Sequence, residues 1–207
     1  MPVLQKYQSP LWGIWKIEER WEELLCLSGR TEEYMPHLQH CKSDSRKSEW
    51  LAVRLLLKEL CVNATIAYHD SGVPYLPDSE YRISISHTKG YAAILLGLDK
   101  PVGIDIEYRS ERIHKIKTRF LNEKELSVLG ENPETTVLLV CWSAKETAFK
   151  MMEQKVADLQ NDIHILEFDP LFPSNGYLTV QETLTPQAVV YRIKYTVTQD
   201  FVITQGE

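Results

Sequence analysis

The sequence predicts an α+β fold of two similar, pseudo-duplicated lobes, each a long helix packed on a mainly antiparallel sheet. Three observations point there. Each half of the 207 residues holds one strongly helical segment and several short runs of strand character. Two of those runs flank a tight turn, as the strands of an antiparallel hairpin do. The two helices also echo each other, with Trp50, Ala52 and Arg54 in the first and Trp142, Ala144 and Glu146 in the second. A boundary near Leu98 to Pro101 gives lobes of residues 1–100 and 101–207.

Taken in order, residues 1–17 mix Trp12, Ile14, Trp15 and Ile17 with polar positions and read as strand, and 18–28 as a short helix. Residues 29–42 carry turn formers and histidines and show no clear period. "DSRKSEWLAVRLLLKEL" is a strong helix, capped by Asp44 or Ser45, with an apolar stripe of Trp50, Val53, Leu56, Leu57 and Leu60. "SGVPYLP" is a connection. "YRISISH" and "YAAILLGL" form a hairpin around Thr88, Lys89 and Gly90. "GIDIE" is a strand, and residues 120–129 a short helix. Pro133 opens a long helix through "ETTVLLVCWSAKETAFKMM". From Ile163 onward short alternating pieces such as "GYLTVQE" and "VVYRIKYTV" are strands.

Apolar residues make up 43% and charged residues 25% of the chain, ordinary for a globular protein with a full core. The net charge of -6 disfavours a dedicated nucleic-acid binder. Cys26, Cys41, Cys61 and Cys141 form no CxxC pair, which argues against a zinc site and for buried thiols in a reducing compartment. No signal-peptide pattern opens the sequence and no apolar run reaches membrane-spanning length, so a cytoplasmic location is expected.

The chemistry starts at "GIDIE". On a strand Asp105 and Glu107 share one face, with Ile104 and Ile106 on the other and expected in the core. Two carboxylates that close repel each other, so a cation must relieve them, supplied by basic side chains or by a metal. Carboxylate oxygens are hard ligands suited to Mg²⁺, which shares its shell with phosphates. Glu146 could complete such a shell. Lys150, four residues on, lies on the same helix face and could meet phosphate charge; taken alone the pair reads as a surface ion pair worth about 0.3–0.5 kcal/mol. His87 ends a strand among Ser84, Ser86 and Thr88, a setting that suits an anion. Arg46, Lys47 and Arg54 on the first long helix read as a basic surface or a phosphate clamp.

In order, "SRKSEWLAVRLLL", "SGVPYLP", "ISISHT", "GIDIE" and "WSAKETAFK" resemble the 4'-phosphopantetheinyl transferases, in particular the larger two-lobed class similar to surfactin-synthetase activators. The resemblance implies two α+β lobes with coenzyme A and Mg²⁺ held between them. It implies transfer of the phosphopantetheine arm from coenzyme A to a serine of an apo acyl or peptidyl carrier protein, with release of 3',5'-ADP. Asp105, Glu107 and Glu146 match its metal ligands and Lys150 the lysine facing the reacting phosphate. Ser86 and His87 match the element that holds coenzyme A phosphate. Arg46 matches the better candidate for the 3'-phosphate; Arg54 matches a second basic position or is structural. The serine proton is expected to go to Glu146, directly or through water, with a metal-bound water as the alternative base. Thr88 stands where the family often has serine, and Val73 where many members have lysine.

Residues 109–119 carry five basic residues against Glu111. With carrier proteins acidic around the modified serine, Arg109, Arg112, Lys115, Lys117 and Arg119 would steer one in, with Ile113, Ile116 and Phe120 adding apolar contacts; an ordinary charged helix face is the other reading. A Mg²⁺-dependent nuclease or phosphodiesterase uses a similar acidic set, but no extended basic groove accompanies it here. A non-catalytic carrier-binding protein of the same fold would not need Asp105, Glu107, Glu146 and Lys150 intact. A monomer is expected from two lobes in one chain.

Overall fold

A computed structural model describes residues 3–8, 11–60, 64–152, 157–167 and 173–206, with the side chains of 3–8 outside the description. The chain divides into two compact units, 1–99 and 100–207.

In the first unit the strands are β1 (Val3–Gln8), β2 (Leu11–Lys16), β3 (Ala67–Tyr68), β4 (Pro74–Tyr75), β5 (Arg82–Thr88) and β6 (Tyr91–Gly97). The helices are α1 (Trp21–Ser28), α2 (Thr31–Gln39) and α3 (Asp44–Leu60). The main sheet runs β1-β2-β6-β5, antiparallel throughout, and β3 and β4 form a small ribbon. The β5–β6 hairpin is the one the sequence predicts. α3 packs on β2 and β6. Its buried residues are Leu51, Ala52, Val53, Leu55, Leu56 and Leu57, so the inward face is centred on Ala52 and Leu56, with Trp50 and Leu60 at its margins. The cap differs too. Ser43 Oγ accepts from the Arg46 amide, while Asp44 pairs with Lys47 at 2.8 Å.

α2 occupies the stretch that lacked a period. Pro36 lies inside it, and a proline both removes an amide donor and crowds the preceding turn, which is why no clean helical signal marks the segment.

The second unit contains β7 (Gly103–Tyr108), α4 (Glu123–Leu129), α5 (Thr135–Met151), β8 (Ile163–Glu167), β9 (Asn175–Glu182), β10 (Val190–Val197) and β11 (Phe201–Gly206). Its sheet runs β7-β11-β10-β9-β8, again antiparallel. α5 lies across all five strands, and Cys141, Ala144, Ala148 and Met151 enter the core with Phe120, Val180, Ile193 and Val202. The helix opens at Thr135, two residues after Pro133. The basic segment is not a regular helix: Glu111–Lys115 and Lys117–Arg119 are short 3-10 turns. Cys141 is buried, Cys41 half-buried and Cys26 exposed, so the expectation of four buried thiols fails at Cys26; Cys61 lies outside the described residues.

Two glycines set how closely α5 approaches. Gly103 and Gly206 face each other across β7 and β11. A Cβ on Gly103 would collide with the Thr147 carbonyl oxygen, and one on Gly206 with Met151 Sδ. The last turns of α5 thus rest directly on the backbone of the strand pair.

Candidate functional site

The face of β7 that meets α5 is the carboxylate face. Gly103, Asp105 and Glu107 point toward the helix; Ile104 and Ile106 are buried but stand outside the core cluster beneath α5. Asp105 is 4% exposed. Lys150 Nζ donates to Asp105 Oδ1 at 2.8 Å and to the Ile104 carbonyl at 2.9 Å. Trp142 Nε1 donates to Glu107 Oε1 at 2.6 Å. The i,i+4 partnership with Glu146 is therefore not how Lys150 is used; it turns to the strand.

A hydroxyl cluster pins the helix there. Thr204, paired with Asp105 in the register of β11 and β7, donates to the Ser143 carbonyl at 2.8 Å. Its oxygen then accepts from the hydroxyls of Ser143 at 2.8 Å and Thr147 at 2.6 Å. Every one of these groups is buried, so sliding α5 would strand polar atoms away from water.

The electrostatics record how the acids crowd. Burial first, then Asp105 and Glu146, push Glu107 up to about 7, against the indole N–H and Lys150, which favour its charged form. Burial and Asp105 also push Glu146 up, with Lys150 opposing. Three carboxyl groups thus share one ammonium, a crowding that protons relieve on the acid side and that a further cation would relieve at higher pH. Hard oxygen donors in that number fit Mg²⁺ in kind. In the present arrangement Lys150 is the cation on Asp105, and among the described residues no three His, Cys, Asp or Glu side chains are gathered closely enough to hold a metal ion.

A stability effect follows from Glu107. Its folded value of about 7 lies above the ordinary 4.5, so between those pH values the folded state binds the additional proton. Stability is then highest on the acid side and falls as pH rises from 4.5 through 7. Glu107→Gln keeps an oxygen for Trp142 and removes the charge. Without divalent ions it should be more stable than wild type by about 1–3 kcal/mol at pH 8, with no advantage near pH 4.5. Urea midpoints at the two pH values measure this; equal midpoints at pH 8 would show that Glu107 carries no electrostatic cost.

The family model for the 4'-phosphopantetheinyl transferase superfamily matches residues 101–205, just over half of the chain and nearly the whole second unit. The chain belongs to that superfamily. "GIDIE" and "WSAKETAFK" both lie inside the match, so the acid cluster is part of a phosphopantetheinyl transferase domain. No curated protein matches the sequence. Among the described residues no helix is long and apolar enough to cross a membrane.

The first unit brings some of the predicted phosphate ligands together and separates others. Arg46 Nη1 lies 3.3 Å from His87 Nε2 and 3.1 Å from Glu49 Oε2, and His87 Nδ1 lies 3.3 Å from the same Glu49 oxygen. A guanidinium only donates, so Nε2 accepts and Nδ1 carries the proton toward Glu49. Arg46 and a neutral His87 thus form one polar corner in which the guanidinium carries the positive charge and Glu49, which the sequence reading did not name, holds both. Ser86 is buried and, by strand alternation, on the other face from His87. Arg54 goes elsewhere. Its guanidinium carbon lies 3.2 Å from the centroid of the Trp50 ring, and it donates to the Trp50 carbonyl at 3.1 Å. With Glu33, Tyr34, His37 and Trp50 it lines a pocket of about 190 Å³ between α2 and α3, and burial lowers its pKa to about 10.

On the basic segment Arg109, Arg112, Lys115 and Arg119 are exposed and Lys117 half-buried. Arg109 donates to Thr136 at 2.9 Å, and Lys117 to the Glu131 carbonyl at 3.1 Å. Ile113 corrects an expectation: at 5% exposure it belongs to the core beneath α5, as does Phe120, because the 3-10 turn rolls both inward. Ile116 is half-buried and keeps an outer edge.

The sequence reading missed Trp142, Ser143 and Lys145. All three sit in "WSAKE", and the signal was the motif itself: a tryptophan, a hydroxyl and a lysine within one turn and a half of a helix otherwise rich in core residues.

Proposed function

We propose that the protein transfers the 4'-phosphopantetheine group of coenzyme A to a serine of an apo acyl or peptidyl carrier protein, releasing 3',5'-ADP, as a two-lobed member of the superfamily. The observation that carries this reading is the convergence of Asp105, Glu107, Glu146 and Lys150 within the span the family model matches. In the reaction the serine Oγ bonds to the pantetheine phosphorus, the bond to the bridging diphosphate oxygen breaks, and that oxygen leaves with the nucleotide.

Asp105, Glu107 and Glu146 would hold Mg²⁺, which when bound neutralises charge growing on the phosphoryl oxygens. Glu146 takes the serine proton; burial and Asp105 raise its pKa toward the range where a base works near neutral pH. Lys150 supplies a compact positive charge at the phosphoryl group, reached by releasing Asp105. Arg46 and His87 grip a phosphate of coenzyme A. Arg109, Arg112, Lys115, Ile116 and Lys117 form the docking surface for an acidic carrier, with Ile113 beneath as its support.

Incubation with coenzyme A, Mg²⁺ and an apo carrier, followed by mass measurement of the carrier, tests the reading. A gain of one phosphopantetheine is expected. No gain, with cleavage of DNA or RNA instead, would replace it with a nuclease. Reversing Arg112 and Lys115 to Glu should raise the carrier KM about tenfold or more and leave that for coenzyme A unchanged; an unchanged carrier KM would remove this surface from docking.

A further inference from the structure

Glu107 is the last helix-facing side chain of β7 before the strand ends at Tyr108, which is 38% exposed. A glutamate at a strand end has several free rotors, yet a ligand or catalytic carboxylate must point one way. Among the described residues its holder is the indole N–H of Trp142, at 2.6 Å from Oε1. That is a short hydrogen bond for an N–H donor. An indole can only donate, so it dictates which way the oxygen turns and competes for no cation.

Trp142 is itself fixed. Its ring meets Phe120 edge-on, with centroids 5.2 Å apart and planes at 75°. Phe120 is fully buried, and its carbonyl accepts from Lys145 Nζ at 2.6 Å. Residue 120 is therefore gripped twice by one turn of α5, once through its ring and once through its backbone. That same turn carries Glu146. The indole direction and the position of Glu146 are set by one rigid element.

From this geometry we infer that Trp142 is a positioning residue, which aims the Glu107 carboxylate by its indole N–H and takes its own orientation from Phe120. The inference rests on the transferase reading above for what Glu107 is aimed at, and on the contact alone for how. Trp142→Phe deletes the donor and keeps a ring against Phe120. Outer donors of this kind tune a ligand's affinity about 10–100-fold. Trp142→Phe should weaken binding of Mn²⁺, used alone as the probe, about tenfold. It should lower kcat for carrier modification about tenfold and change the KM for coenzyme A less than twofold. In a Glu107→Ala background the same change should have no further effect on Mn²⁺ affinity, since the two act as one unit.

A spectroscopic readout separates this inference from the functional one. The chain has five tryptophans, and Trp142→Phe identifies which ¹⁵N-labelled indole N–H resonance is Trp142. That resonance should move in Glu107→Ala and on adding Mg²⁺ to the otherwise unaltered protein. An unmoved resonance in Glu107→Ala overturns the contact. Wild-type Mn²⁺ affinity and kcat in Trp142→Phe overturn the role. A resonance that moves in Glu107→Ala, in a protein that modifies no carrier, upholds the aiming contact and sinks the transferase reading instead. If Trp142→Phe does not fold, substituting the other four tryptophans one at a time identifies the Trp142 resonance by elimination, and Glu107→Ala with the Mg²⁺ titration decides.

Discussion

Asp105→Asn is expected to abolish carrier modification for practical purposes, lowering kcat/KM by about 10³-fold or more, while leaving the protein folded. With Asp105 holding Mg²⁺ as proposed, its loss would remove several kcal/mol of charge stabilisation at the phosphoryl group, and each 1.36 kcal/mol is a factor of ten in rate. Folding is expected to survive for a local reason. An asparagine oxygen can still accept from Lys150, which donates to Asp105 Oδ1 in the native protein, and Lys150 keeps the Ile104 carbonyl. Removing the charge also relieves Glu107 and Glu146, both of which Asp105 pushes upward. The urea midpoint should therefore equal or exceed that of wild type without divalent ions. Timed mass measurement of the carrier and urea denaturation check both halves. Full activity in Mg²⁺ would remove Asp105 from the reaction. Loss of folding with loss of activity would make its bond to Lys150 structural.

Where periodicity speaks for itself, the sequence was readable. α3 and α5 stand out by their apolar spacing, and the β5–β6 hairpin by its two dense runs around a glycine turn. The common face of Asp105 and Glu107 follows from the two-residue repeat of a strand. What that repeat does not say is which face a helix 30 or more residues later will cover. The isoleucines are buried, as their apolar character predicts. The helix lies on the opposite face, with the acids, admitted by Gly103 and Gly206 and pinned by Thr204, whose partners Ser143 and Thr147 are distant in sequence.

The same limit explains where the basic and apolar residues come to lie. Arg46 and Arg54 are eight apart and share a helix side only roughly; Trp50, four residues before Arg54, captures it by stacking. Ile113 reads as a surface contact because its neighbours are charged, but the 3-10 turn that carries it places it in the core. In "WSAKE" successive side chains are spread around α5, so the five residues reach Glu107, Thr204, the core, Glu125 and the acid cluster in turn. One turn of helix therefore ties together much of the unit. The echo between Trp50 and Trp142 does not extend to their work, since one stacks on Arg54 and the other holds Glu107.

Glu125→Ala is expected to be the most damaging substitution for stability outside the acid cluster, at about 3–5 kcal/mol. Lys145 and Glu125 are buried at 0% and 3% exposure and meet at 2.7 Å. Burial lowers the lysine pKa while Glu125 restores it in part, so the ammonium depends on its partner. Nζ also donates to the carbonyls of Phe120 at 2.6 Å and Leu159 at 2.9 Å. Glu125 for its part accepts from the Asn122 amide at 2.9 Å, closing the cap of α4, and from the Ile165 amide at 2.8 Å. Removing the carboxylate strands a buried cation and two amides together. An isolated buried pair can often be replaced by two apolar residues without loss. Here the double change Lys145→Met with Glu125→Leu should recover only part of the deficit, because two carbonyls and two amides still lose their partners. Urea denaturation of the single and double variants decides it. Full recovery in the double variant would reduce the knot to a simple ion pair and leave the backbone groups satisfied by water.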